Sequence, residues 1–247
     1  MIGPAASGAI VPTLLAGTRR LGRPDLSTTL QIKTMIKIHH LGISQSERIL
    51  WLCEELGLPY ELIHYTRDPV TRLSPPELRR LHPLGAAPVI EDGDLLLAES
   101  AAIVEYIITV HGDGRLKLAP SHPDYAAYLY WFHFANGNLQ SVMMRNMTVQ
   151  RAGLAADHPL LAATRDRVER VLSLLQERLG QVPYLAGSEF TAADVMSLFS
   201  LSTMRHFQPL DLSAYPHILA YMKRLGERPA YRRAMAKGDP GFTPRLD

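Results

Sequence analysis

Ser44, Gln45 and Ser46 stand in a row where an apolar run, Ile36 to Leu41, gives way to a helix-period segment. Two hydroxyls and a carboxamide at a strand-to-helix join can donate hydrogen bonds to an anion, next to the unpaired amides and positive dipole end of the helix. Glu99-Ser100 makes a second such place at the head of the apolar-faced segment ESAAIVEYIITV. There a serine hydroxyl can donate to a carboxylate while the acid pairs an ammonium; an ordinary helix cap is the other reading of Ser100. Pro88 stands where a strand begins, a position that proline tolerates. Two other tempting groups read as structural. Cys53 shares the apolar stripe of Ile49, Leu52 and Leu56, where a free cysteine behaves as a small buried hydrophobe. His39 and His40 are neighbours on a strand and point to opposite faces, so they form no metal pair, and no metal is expected.

The elements that must position these residues follow from period and punctuation. Ile36 and Ile38 alternate about Lys37, which predicts a strand; Ile49, Leu52, Cys53 and Leu56 predict a helix closed by Gly57 and Pro59. YELIHY reads as a second strand, and a short helix is expected from Pro76 to Leu81. PVIEDGDLLL carries the hairpin signal Asp92-Gly93 between apolar flanks, and ESAAIVEYIITV closes the series as a helix. The order is βαβαββα. After a Gly- and Pro-punctuated linker, HGDGRLKLAPSHP, all periods are helical: Tyr125 to Met147, Leu160 to Leu179, Thr191 to Met204 and Pro216 to Lys237. TAAD, Thr191 to Asp194, predicts a capping box with a structural role. The fold class is therefore an α/β domain followed by an all-helical one.

Composition narrows the function. The 247 residues are 47% apolar and carry 26 basic against 24 acidic side chains, enough to build cores and too balanced for an electrostatic nucleic-acid binder. A single cysteine forms no internal disulfide or CxxC motif and fits a reducing cytoplasm. No apolar run approaches the ~20 residues of a membrane-spanning helix. Residues 1–34 place Arg19 and Arg20 after their apolar stretch, unlike a signal peptide. They read as a disordered or tag-like extension or an upstream start, with a transit peptide as the alternative.

HHLGISQSERILWLCEELGLPYEL, HPLGAAPVIEDGDLLLAES, FTAADV and ERPAYRRA, in that order and spacing, resemble the glutathione S-transferases. The likeness is greatest to the bacterial and fungal branch whose first helix reads close to SRSERILWLLEEL. It implies a thioredoxin-like glutathione-binding domain over 35–112 and a helical domain over 121–240. It also implies a homodimer, glutathione as co-substrate with no further cofactor, and transfer to an apolar electrophile, with peroxidase activity as a side reaction. The site residues implied are Glu99 and Ser100 for the γ-glutamyl end, and a cis Ala87-Pro88 bond for the cysteinyl backbone. In the theta and delta kinds the active serine lies four residues before the first-helix arginine, which selects Ser44 before Arg48. The five-residue spacing of the tau and zeta kinds would select Ile43, which has no donor.

With a thiol pKa near 8.5, a downward shift of about two units corresponds to roughly 2.7 kcal/mol in favour of the thiolate, which a Ser44 donor and helix amides can provide. Ser46 is the rival serine, read by spacing as the cap of the first helix. Tyr128, Phe132 and Met143, in an aromatic and methionine cluster with Trp131 and Met144, are mostly core at helical spacing, and part of the cluster is expected to line the electrophile pocket. The sequence departs from the family at Ala86, where relatives often carry a lysine for the glycine carboxylate; His82 or an arginine is the expected substitute. A non-catalytic binding protein of the same fold is the alternative function.

Overall fold

Ile36 and Ile38 bury their side chains on β1 (Ile36–Leu41), the central strand of a four-stranded sheet ordered β2-β1-β3-β4. The computed structural model describes residues 35–71 and 73–247, and the extension expected over residues 1–34 lies outside them. Helix α1 (Glu47–Leu56) carries the chain from β1 to β2 (Tyr60–Tyr65), which runs parallel to it with Ile38 opposite Leu62. After α2 (Pro76–Leu81), β3 (Val89–Asp92) pairs antiparallel with β1, Ile38 facing Ile90, and with the edge strand β4 (Leu95–Ala98). α3 (Ser100–Val110) completes the βαβαββα unit.

The hairpin turn sits one residue later than the sequence predicts. Asp92 remains in β3 opposite Leu95, so the loop is Gly93-Asp94, with Gly93 supplying the positive φ of 57°. Asp92 is held back by its carboxylate, which accepts from Tyr106 Oη at 2.8 Å and lies 2.6 Å from His111 Nε2.

From Tyr125 on, the described elements are helical: α4 (Tyr125–Phe134), a π-helical turn (Ala135–Gln140), α5 (Ser141–Gln150), α6 (Pro159–Gln181), α7 (Ala192–Leu201), a 3₁₀ turn (Thr203–His206), α8 (Pro216–Gly226) and α9 (Pro229–Gly238). The chain is a thioredoxin-like domain followed by an all-helical one. Three expected helices are interrupted. Thr191 to Met204 breaks at Ser202 (φ −117°, ψ −87°) before the 3₁₀ turn. Tyr125 to Met147 contains the π turn, and Pro216 to Lys237 breaks before Pro229, which has no N–H to donate and holds Arg228 extended at ψ 126°. The capping box forms: Thr191 Oγ1 accepts from Ala193 N at 3.3 Å, and Asp194 accepts from Thr191 N at 2.8 Å. Asp194 does more than cap, since its other oxygen accepts from Leu185 N and Tyr221 Oη, both at 2.9 Å. Full burial pushes its carboxyl up to about 6 against the pull of those bonds.

One main core runs from the sheet through α1 and α3 into the helices, with Ile38, Trp51 and Ile107 in the same buried cluster as Tyr128, Leu172 and Leu225. α9 clamps α1 from the C-terminal side. Arg228 makes a two-pronged pair with Glu55 at 2.6 and 2.8 Å, Arg233 bonds Glu54 at 2.8 Å, and Tyr231 meets Trp51 edge-on at 4.9 Å. This fixes the helix that the two serines lead into. No helix among the described residues is long and apolar enough to cross a membrane.

Candidate active site

Ser44 and Ser46 are both buried, and their hydroxyl oxygens lie 2.7 Å apart. The backbone decides their roles. Ser46 has helical dihedrals (φ −68°, ψ −14°) where a capping residue is extended, and its side chain makes no cap bond, so the expectation that it caps α1 is corrected. Its oxygen turns inward, 2.8 Å from His40 Nδ1. Ser44 takes over part of the capping job, its Oγ accepting from Ser46 N at 3.2 Å. The amides of Glu47, Arg48 and Ile49 close a tight turn onto the carbonyls of Ser44, Gln45 and Ser46, so those three donors are spent inside the protein.

The Ala87-Pro88 bond is cis. The Ala87 carbonyl accepts from Gln45 Nε2 at 3.1 Å, so the amide between the two serines reaches across to the start of β3. Gln45, His82, Ala86, Ala87, Pro88, Glu99 and Ser100 line one hollow. At its end Glu99 is exposed with a positive φ of 72°, and Ser100 is buried as the first residue of α3.

Beneath Ser100 lies a residue that the sequence offers only as a spacing mark. The Arg48 guanidinium is fully buried and donates to four neutral acceptors: Ser100 Oγ at 3.0 Å, Asn136 Oδ1 at 2.9 Å, Gln140 Oε1 at 2.8 Å and Gln45 Oε1 at 3.2 Å. Asn136 Nδ2 adds a second donor to Ser100 Oγ at 3.3 Å. The Ser100 oxygen thus accepts twice within the protein, and its own proton is free for an outside acceptor. Among the described residues Arg48 forms no ion pair, and its Nε has no hydrogen-bond partner. Burial lowers it to about 10, and it lifts the adjoining, equally buried Glu47 to about 8, so that acid is protonated at neutral pH. A positive charge without an ionised partner therefore sits directly behind the Ser100 hydroxyl. Such a charge is costly until an anion arrives.

Asn136 and Gln140 are the other residues missed. Both come from the π turn, a feature common at functional sites, and the visible signal was the polar run ANGNLQ interrupting an aromatic helix. The pocket expectation needs correction. Tyr128 and Phe132 are 0% and 1% exposed and belong to the core, because α4 turns that face onto the other helices. Met143 is 5% exposed and borders a small cavity of about 10 Å³. Cys53 is buried core, its thiol pushed up to about 12 by desolvation.

The family profile described as "Glutathione S-transferase, N-terminal domain" matches residues 33–109, and "Glutathione S-transferase, C-terminal domain" matches 132–229. The chain belongs to the glutathione S-transferase family. Glutathione S-transferase 3 of Schizosaccharomyces pombe is 31% identical over 219 residues, spanning 82% of this chain and 88% of that protein. A crystal structure of a glutathione S-transferase from Actinobacillus pleuropneumoniae superposes with a TM-score of 0.76 at 33% identity, covering 83% of this chain and 93% of the other. A glutathione transferase of Phanerochaete chrysosporium, solved with oxidised glutathione, shares the fold at a TM-score of 0.67 and 21% identity, over 84% of this chain and 96% of that one.

Proposed function

We propose that this family member is a glutathione transferase of the serine type, with residues 35–112 holding glutathione and 121–240 forming the helical domain. The observation that carries the proposal is the buried, uncompensated Arg48 charge behind a Ser100 hydroxyl whose proton is free. The γ-glutamyl carboxylate accepts from Ser100 and supplies the negative charge that Arg48 lacks, and the exposed Glu99 pairs the ammonium beside it. The cysteinyl amide takes the Ala87 carbonyl that Gln45 now holds, as an added strand would. The glycine carboxylate lies toward His82, which lines the same hollow as Ala86 and replaces the missing lysine.

In this reading the thiol reaches past the lining residue Gln45 toward its buried neighbour Ser44. Ser44 Oγ donates to the sulfur, favouring loss of the thiol proton to water. The thiolate then attacks an apolar electrophile, forming a carbon–sulfur bond as the leaving group departs with its electron pair. Exposed Leu95 and Leu96 on β4 and Tyr130 on α4 support self-association into a homodimer. Titration calorimetry with glutathione and turnover of a chromogenic aryl halide test the reading. Binding without turnover would leave the non-catalytic alternative, and absence of binding would reject both.

A further inference from the structure

At the far side of the Ser46 hydroxyl the fold assembles a group that the sequence scatters: His40 on β1, His64 on β2 and Asp239 just after α9. One ligand atom of each lies within 4.8 Å of one from the others. Pairing His39 with His40 misses this, because the partner of His40 is on the neighbouring strand, directly opposite it in register.

The two buried members are held by one end and open at the other. His40 Nδ1 lies 2.8 Å from Ser46 Oγ, and Asp239 Oδ1 accepts from Ile43 N at 2.8 Å. The opposite atoms, His40 Nε2 and Asp239 Oδ2, are 3.3 Å apart, yet neither has a hydrogen-bond partner. Their side chains are 0% and 4% exposed. A protonated His40 would pair with Asp239 directly; with His40 neutral both atoms present lone pairs, and a cation between them satisfies both. With Nδ1–H donated to Ser46, Nε2 presents a lone pair, the arrangement in which a backing hydrogen bond orients a ligating histidine. Ligand atoms of a tetrahedral ion with bonds of ~2.0–2.1 Å lie about 3.3 Å apart, which matches the observed separation.

Space and charge agree. An added Cβ on Gly42 would lie 3.3 Å from both Asp239 Oδ1 and His64 Nε2, so the bare glycine lets these two approach. His64 is exposed, and its ring centroid already lies 5.4 Å from that of His40. The group opens into a cleft of about 510 Å³ that also touches Arg67 and Lys237. Both cations are engaged elsewhere: Lys237 Nζ bonds Glu54 at 2.5 Å, and Arg67 Nη2 donates to the Ile43 carbonyl at 3.4 Å with its guanidinium over the Phe207 ring.

We propose that His40 Nε2, His64 and Asp239 Oδ2 form a binding site for a borderline divalent ion such as Zn²⁺, with the fourth position facing the cleft. Two imidazoles and a carboxylate are the donor set of three-ligand zinc sites that keep an open position. Chelator-stripped full-length protein, free of glutathione, is dialysed against Zn²⁺ and the bound metal measured, with Co²⁺ as a spectroscopic probe. One equivalent of zinc and the visible bands of four-coordinate cobalt are expected. His64→Ala, at an exposed position, and Asp239→Asn, which keeps the acceptor for Ile43 N, should each weaken zinc by more than tenfold. Substoichiometric zinc in the wild type, or wild-type affinity in both variants, overturns the site. Because no glutathione is present, neither outcome depends on the transferase reading.

Discussion

Arg48 and Ser100, on the first and third helices, meet at 3.0 Å with the guanidinium donating and the hydroxyl accepting. The bond leaves the serine proton facing outward and keeps a full positive charge one atom behind it. An anion-binding hydroxyl is thereby given both its orientation and its electrostatic reason.

Ser100→Ala should remove one charge-assisted hydrogen bond, worth about 1.5–3 kcal/mol, and weaken glutathione roughly tenfold or more. Arg48→Met should weaken it at least as much. The free protein should melt within a few degrees of wild type, because the buried charge has no ionised partner to abandon and the amides of Gln45, Asn136 and Gln140 are only half-buried and rehydrate. Calorimetry and thermal melts on both variants check this. Unchanged affinity in Arg48→Met would remove the guanidinium from the site.

Much of this was legible in the sequence, and the failures have a common cause. The join at Ser44 to Ser46, the TAAD box and the apolar periods are local, and local signals survive in a sequence. The partners of Arg48 lie 88 and 92 residues away in a π turn whose wider spacing a helical period does not reveal. Ser46 carries a good capping side chain on a backbone already wound into the helix, and dihedrals are not written in residue type. Tyr128 and Phe132 have the composition of a pocket wall, but which face a helix buries depends on neighbours that arrive later in the chain.

Glu47 sets a pH dependence. Burial raises its folded carboxyl from an ordinary 4.5 to about 8, so its favourable contribution is complete below pH 4.5 and is lost as pH rises through 8. Asp194 acts in the same sense, but its window closes near 6. Between pH 6 and 8 wild-type stability should therefore fall, by at most about 1.4 kcal/mol per pH unit from this one group. Glu47→Gln should flatten that slope. Chemical denaturation at pH 6, 7 and 8 gives the comparison, and parallel slopes would clear Glu47 of the effect.

Asp194 is expected to matter for folding and not for chemistry. Asp194→Ala strands the buried donors of Leu185, Thr191 and Tyr221 together, for a loss of about 3–5 kcal/mol. Thr191→Ala loses only the cap, about 1 kcal/mol. A similar cost for the two in urea titrations would mean that the capping box, and not the three-way link, is what Asp194 supplies.

The Ser44 and Ser46 hydroxyls share one bond, so their variants should differ in kind. Ser44→Ala removes the donor proposed for the thiolate. It should raise the pKa of bound glutathione and lower turnover by about ten- to thirtyfold, the most that a missing thiolate fraction of this size accounts for. A larger loss would mean that Ser44 also orients the sulfur. Ser46→Ala leaves His40 Nδ1 buried without its partner, so it should cost about 1–3 kcal/mol of stability, more than a lost cap would. It should also reach the thiol indirectly. When His40 Nδ1 donates to Ser46, the Ser46 proton goes to Ser44 Oγ and the Ser44 proton is released toward the ligand; without Ser46, Ser44 is free to turn away. A smaller rise in thiol pKa than in Ser44→Ala is therefore expected, read as thiolate absorbance against pH. If Ser46→Ala abolishes that absorbance while Ser44→Ala keeps it, the thiolate donor is Ser46, and the inward turn of its hydroxyl must reverse when glutathione binds.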